Sequence, residues 1–145
     1  RIDIAQAAAQ QLRETGINCT VEIPAQMDWG GQMACLIGWG SPFDADDHTY
    51  KVFGTDKGAN YSSYSNEKVD EYLSLARQSD DPEVRKEYYG KFQEELAEDP
   101  AYAFICYIDA NYVADSGIQG ISKDTVLGHH GVGIFWNIQD WTMTE

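Results

Sequence analysis

Basic residues are scarce in this sequence. Ten Lys and Arg stand against 24 Asp and Glu, giving a net charge of -14. Gripping a phosphate backbone takes clustered Lys and Arg, so the balance argues against nucleic acid as a partner. It argues equally against an anionic membrane surface. A cationic ligand is compatible with the charge, and solubility accounts for it without one. Long apolar runs are missing too, and none approaches the roughly 20 residues of a membrane-spanning helix. Cysteine is sparse and unpatterned. Cys19, Cys35 and Cys106 are widely spaced, form no CxxC and are odd in number, which fits neither a disulfide scaffold nor a zinc ribbon. Cys35 and Cys106 lie inside apolar runs and are expected to be small buried hydrophobes. Catalytic signatures are also lacking: there is no GxSxG, P-loop or HExxH, and no motif joins a Cys to a His as nucleophile and base. The expectation is a protein that is not an enzyme and needs no cofactor or resident metal. No initiator Met or leader pattern is present, and Arg1 opens directly onto a helical pattern. That start is read as a processed protein or an excised piece.

What is present suits one globular domain. Of the 145 residues, 43% are hydrophobic and 12% aromatic, including four Trp and nine Tyr that serve cores and ligand pockets alike. Ile4, Ala5, Ala8, Ala9 and Leu12 share one face at helical spacing, and Gly16 is a natural stop. Cys19, Val21 and Ile23 alternate with polar residues as a half-buried strand would, ending at Pro24. Met33 to Trp39 is a continuous apolar run, as in a strand covered on both faces. A turn-rich loop follows from Gly40 to Asp47, then a short helix around Asp47 to Phe53 and a polar loop from Gly54 to Ser65.

Two helices come next. Asn66 is placed to cap one whose stripe is Val69, Tyr72, Leu73 and Ala76. Asp81-Pro82 gives a cap and a first-turn proline to another, in which Val84, Tyr88, Phe92 and Leu96 recur every four residues. The outer face of the second is charged and solvated. Ala101 to Ile108 and Tyr112 to Ala114 read as strands. The tail from Gly117 is glycine-rich, with Phe135, Trp136, Ile138 and Trp141 expected to pack it down. Strands alternating with helices indicate an α/β lobe, a mixed sheet flanked by helices.

The most informative stretch is Leu36-Ile37-Gly38-Trp39-Gly40-Ser41-Pro42-Phe43-Asp44. Ligand clefts in α/β proteins form beyond the carboxyl ends of strands. There Trp39 and Phe43 would wall an apolar surface, while Gly40, Ser41 and Asp44 would supply close backbone approach and polarity. The alternative is that Trp39 simply ends a core strand. His48, near Asp44, Asp46 and Asp47, would add an imidazole to an acidic site, or be an ordinary surface group. His129-His130 is a candidate metal pair by residue type, but neighbours on extended chain point apart, so a loop or turn role is the simpler reading.

Four segments resemble the C-terminal part of the family 5 extracellular solute-binding proteins, the peptide- and nickel-binding components of ABC importers. Ile4-Ala5-Gln6 through Gln10-Gln11-Leu12 to Gly16-Ile17 resembles the family's "iaq…qqL…GI". Gly38-Trp39-Gly40 with Asp44 to Asp47 resembles its "GWg…D.D". Asn60 to Asn66 with Val69-Asp70 resembles its "NYSgYSNpevD". Arg85-Lys86 to Tyr88, then Gln93-Glu94 and Leu96 to Pro100, resembles its "R..lY…q.ilaedaP".

The resemblance implies one α/β lobe of a two-lobed periplasmic-binding-protein-like fold, spanning 1–145, with 117–145 as a returning segment. It implies capture of a small peptide or metal chelate between lobes and delivery to permease subunits. The setting implied is extracytoplasmic, with any membrane anchor outside this chain. Trp39-Gly40-Ser41-Pro42-Phe43-Asp44 looks close to the "WGaPYDpH" of nickel-complex binders, which carries ligand contact onto Trp39 and Phe43. Pro42 stands where dipeptide binders have an acid, and only Gly30-Gly31-Gln32 stands where the family has a longer insertion. Two rival readings are a metal-dependent enzyme using His48, His129, His130 and nearby carboxylates, and a protein-interaction module presenting its tyrosines.

Overall fold

The computed structural model describes residues 1–29, 34–40, 44–109, 111–122 and 133–144. They form two compact units, Arg1–Gly38 and Trp39–Glu145. Among the described residues no helix is long and apolar enough to cross a membrane.

The first unit is built on helix α1, Ile2–Glu14. Gly16 ends it as expected. At φ +91° it takes a left-handed conformation, its N–H reaches the carbonyl of Arg13 and that of Ile17 reaches Leu12, both at 3.0 Å. These are the paired bonds of a Schellman cap, which satisfies carbonyls that a helix end otherwise leaves open. On α1 only Ala9 is buried; Ile4 and Ala5 are half-buried, while Ala8 and Leu12 are exposed. One helix beside extended chain offers no second layer wide enough to cover the whole stripe.

The second unit carries the core. Helices α2 (Ala45–Phe53), α3 (Glu67–Arg77) and α4 (Pro82–Glu98) pack together. Val69, Leu73 and Ala76 of α3 meet Tyr89, Phe92 and Leu96 of α4, with Tyr50 and Phe53 of α2 against them. Both expected caps form. Asn66 accepts from the amides of Lys68 and Val69, and Asp81 accepts from Glu83 with Pro82 in the first turn. Tyr89 replaces Val84 and Tyr88 as the buried member of its stripe; those two are only half-buried. Strict four-residue recurrence drifts by about 40° per step around a helix of 3.6 residues per turn, so a buried stripe must include three-residue steps.

Asn66 also donates to Glu95 (3.2 Å) and Asp99 (3.0 Å) across the α3–α4 pair. Lys68 Nζ lies 3.0 Å from Glu95 Oε2. The hydrogen bond from Lys68, and then that from Asn66, hold the Glu95 carboxyl below its ordinary value. A depressed carboxylate contributes stability that is present above its unfolded value and is lost as pH falls through the folded one. Stability is therefore expected to fall on acidification below the ordinary value of 4.5. Glu95→Gln should flatten that part of the pH profile, read by chemical denaturation at a series of pH values.

The mixed sheet is reduced, among the described residues, to an antiparallel pair of β1 (Ile118–Gln119) and β2 (Thr142–Met143). Residues 19–23, 101–108 and 112–114, and the described part (34–39) of the Met33 to Trp39 run, are extended or irregular rather than strands. Phe104, Ile105, Tyr107, Ile108 and Val113 are exposed. β-prone sequence becomes strand only where a ladder partner is present. The same lack of cover leaves Cys35 and Cys106 exposed rather than buried, and all three thiols are free.

The tail combines polar stitching with one of its expected aromatic contacts, Phe135 against Trp141 at 5.6 Å between centroids. Buried Asn137, in a 3-10 segment at Gly133–Asp140, donates to the Gly120 carbonyl at 2.9 Å and accepts from Trp141 Nε1 at 3.1 Å. Phe135, Trp136 and Ile138 remain exposed.

Candidate functional site

The candidate site lies at the start of α2. Asp44 has extended backbone and caps the helix, its Oδ1 accepting from the Asp46 amide at 2.8 Å. The same oxygen lies 2.6 Å from Arg85 Nη2 of α4. The amide bond, then the guanidinium, lower the Asp44 carboxyl below its ordinary value. Asp46 Oδ2 is 3.2 Å from Arg77 Nε at the end of α3. Asp47 Oδ1 is 3.0 Å from Lys51. Three carboxylates within four positions would repel one another. The helix N-terminus and cations from three elements offset that.

His48 follows in the first turn. Its Nδ1 is buried and lies 3.3 Å from Asp47 Oδ2, near enough to pair when protonated but not aligned for a hydrogen bond. The ring makes a T-shaped contact with Trp39, with centroids 5.6 Å apart and planes at 70°. On another side Trp39 stacks with Tyr61, at 6.1 Å and 12°. Trp39 keeps 36% of its surface accessible and Tyr61 40%. The result is a half-open aromatic wall edged by acids. Such a wall can hold an apolar, planar or cationic group by contact and by ring quadrupole.

Of the residues singled out in the sequence, Trp39 and His48 are in contact, Asp44 is in the cap just behind them, and Gly40 is half-buried. Ser41, Phe43, His129 and His130 lie outside the described residues. Tyr61 was not anticipated; it sits in a stretch that reads as a polar loop. The signal was the Asn60–Asn66 motif itself. Asn60 Nδ2 donates to the carbonyls of Gly54 (3.0 Å) and Tyr64 (2.7 Å), and its Oδ1 accepts from the Tyr64 amide at 3.0 Å. Asp70 Oδ1 accepts from the Thr55 amide at 2.8 Å. The polar residues of the motif fold the loop that presents Tyr61.

Ser63, where the resembling motif has glycine, has φ +54°. A non-glycine residue there is strained by roughly 1 kcal/mol or more. Ser63→Gly is expected to raise stability by about 0.5–1 kcal/mol after the added unfolded-state entropy, seen as a higher thermal midpoint.

Among the described residues no group of three or more His, Cys, Asp or Glu is arranged to hold a metal ion. A groove along α3 and α4, lined by Tyr72, Lys91, Glu94, Glu95 and Glu98, is charged and includes none of the wall residues.

No protein-family model matches the sequence. Over 129 residues the chain is 33% identical to Protein XP55 of Streptomyces lividans, a match covering 84% of this chain and 24% of that protein. It superposes on NikZ from Campylobacter jejuni, solved in complex with Ni(L-His), at 34% identity and a TM-score of 0.76, covering 98% of this chain and 30% of NikZ. The chain thus spans about a quarter of XP55 and under a third of NikZ. The likeness supports a solute-binding-protein type of fold.

Proposed function

We propose that this chain forms part of the solute-binding component of an ABC importer and contributes one wall of a ligand cleft, at Trp39, Gly40, Ser41, Phe43, Asp44 and His48. The observation that carries the reading is the likeness to NikZ over 98% of the chain, together with an aromatic wall left half-open at Trp39 and Tyr61. The ligand would be a small peptide, a nickel complex or a similar solute. A second lobe would close over it, excluding water and marking the protein as loaded for the permease. Such work is done outside the cytoplasm, and no chemical step is required of these side chains.

Native mass spectrometry on the chain, and on any longer polypeptide that contains it, tests the reading with di- and tripeptides and with nickel plus L-histidine. Retention of one solute class at micromolar concentration is expected in the longer form and weak retention in the 145-residue chain, which offers half of the contacts. Failure of every solute in both forms would sink it. A protein-interaction module is the second reading, favoured by the exposed run of Phe104, Ile105, Tyr107, Ile108 and Val113. It requires a protein partner whose binding is lost when that run is made polar and is indifferent to Trp39.

A further inference from the structure

Two arginines face the start of α2. Arg85, in the first turn of α4, has its guanidinium 5.5 Å from the Tyr89 ring centroid as well as against Asp44. Arg77, the last residue of α3, lies 3.9 Å over the Tyr50 ring and pairs with Asp46. Asp46 Oδ1 is buried without a hydrogen-bond partner, while Oδ2 lies 3.2 Å from Arg77 Nε. Each arginine is thus fixed twice, by a carboxylate at the start of α2 and by an aromatic ring. Exposed ion pairs contribute little to stability, and the core cluster already holds α3 and α4 together. What a planar guanidinium adds is direction, because its donors form a rigid fork. The direction fixed here is that of the α2 cap. Asp44 is five positions from Trp39, and the same helix turn carries the His48 ring that makes a T-shaped contact with Trp39.

We propose that Arg85 is a positioning residue for the Trp39 wall: through Asp44 it pins the first turn of α2, and with it the His48 ring against which Trp39 rests. Ligand affinity then depends on Arg85 although Arg85 does not touch the ligand. The proposal rests on the reading of Trp39 as a ligand wall, but its geometric half can be measured without a ligand.

The test is NMR on the ligand-free 145-residue chain, with the Trp39 indole signal assigned by its loss in Trp39→Phe. Arg85→Met should shift or broaden the Trp39 indole and His48 ring signals while the Leu73 methyls and Phe92 ring stay in place. Arg85→Lys, which keeps the charge without the fork, should recover part of the change. Asp44→Asn keeps a cap acceptor and removes the charge that Arg85 faces. It should reproduce the Arg85→Met shifts, and it carries the test should Arg85→Met not fold. Unchanged Trp39 and His48 signals overturn the proposal, as do shifts spread equally to Leu73 and Phe92, which mark a merely structural role.

With nickel plus L-histidine as the probe, affinity should weaken roughly fivefold in Arg85→Met and less in Arg85→Lys. Equal affinity overturns the proposal. If the unaltered chain and the longer polypeptide both ignore that probe, the capture reading fails for that solute, and the Trp39 and His48 signals alone decide the role of Arg85.

Discussion

Leu73→Ala is expected to destabilise the second unit by about 3 kcal/mol, within the 2–5 kcal/mol typical of a fully buried leucine. Leu73 has no accessible surface, and it lies among Val69, Ala76, Tyr89, Phe92 and Leu96, with tyrosines and Phe53 packed around them. Truncation removes its transfer free energy and leaves a cavity that two helices, held by the Asn66 and Lys68 bridges to Glu95, can only partly close. A small domain is stable by roughly 5–15 kcal/mol in all, so one leucine is a large share of it. Urea unfolding should show a lower midpoint with an unchanged slope. Leu12→Ala is the control. Leu12 is 38% exposed on α1, and its loss should cost well under 1 kcal/mol. If the two leucines cost the same, the α3–α4 contact is not the principal core.

The contrast between those leucines marks what the sequence could reveal. Signals that act within a turn or two of the chain were legible: Gly16 as a stop, Asn66 and Asp81-Pro82 as caps, and the α3 stripe at Val69, Leu73 and Ala76. Each depends on neighbours no more than four or five residues away. The strands were not legible in the same sense. Ala101 to Ile108 has the composition of a strand, but a strand is made by a partner segment, and composition does not say whether one is there. Leu12, Cys35 and Cys106 failed for the same reason, since apolarity says what a residue would bury against but not that anything covers it. In the candidate site, Trp39 and His48 could be singled out because an aromatic and a histidine stand near a glycine-bearing loop, and the two rings do meet. Tyr61 was hidden by its polar surroundings, and those surroundings turned out to be the scaffold that presents it. Nothing beside Arg77 or Arg85 in the sequence signals their partners, yet both reach across to α2. Pairs separated by 31 and 41 positions leave no periodic trace in a sequence.

Trp39→Ala should have the largest effect on capture. A tryptophan face in a closed cleft commonly carries 2 kcal/mol or more of binding free energy. With nickel plus L-histidine as the probe, the expected loss is roughly thirtyfold at about 2 kcal/mol. Stability should hardly change, because Trp39 has an accessible face and stands outside the core cluster. Tyr61→Leu should fall between Trp39→Ala and the unaltered protein, because it removes the ring stacked on Trp39 but not the wall itself. Asp44→Asn should weaken binding far less than Trp39→Ala. The Asp44 Oδ1 already serves the Asp46 amide and Arg85, and the guanidinium offsets the charge that a ligand cation would meet. The order Trp39, Tyr61, Asp44 is what separates a contact wall from an electrostatic trap. In a trap the acid would matter most, and its loss would be mimicked by added salt. In a contact wall, salt leaves the Trp39 effect in place. Titration calorimetry of the three variants at low and high salt decides between them, and an effect of Asp44→Asn larger than that of Trp39→Ala would overturn the assignment of Trp39.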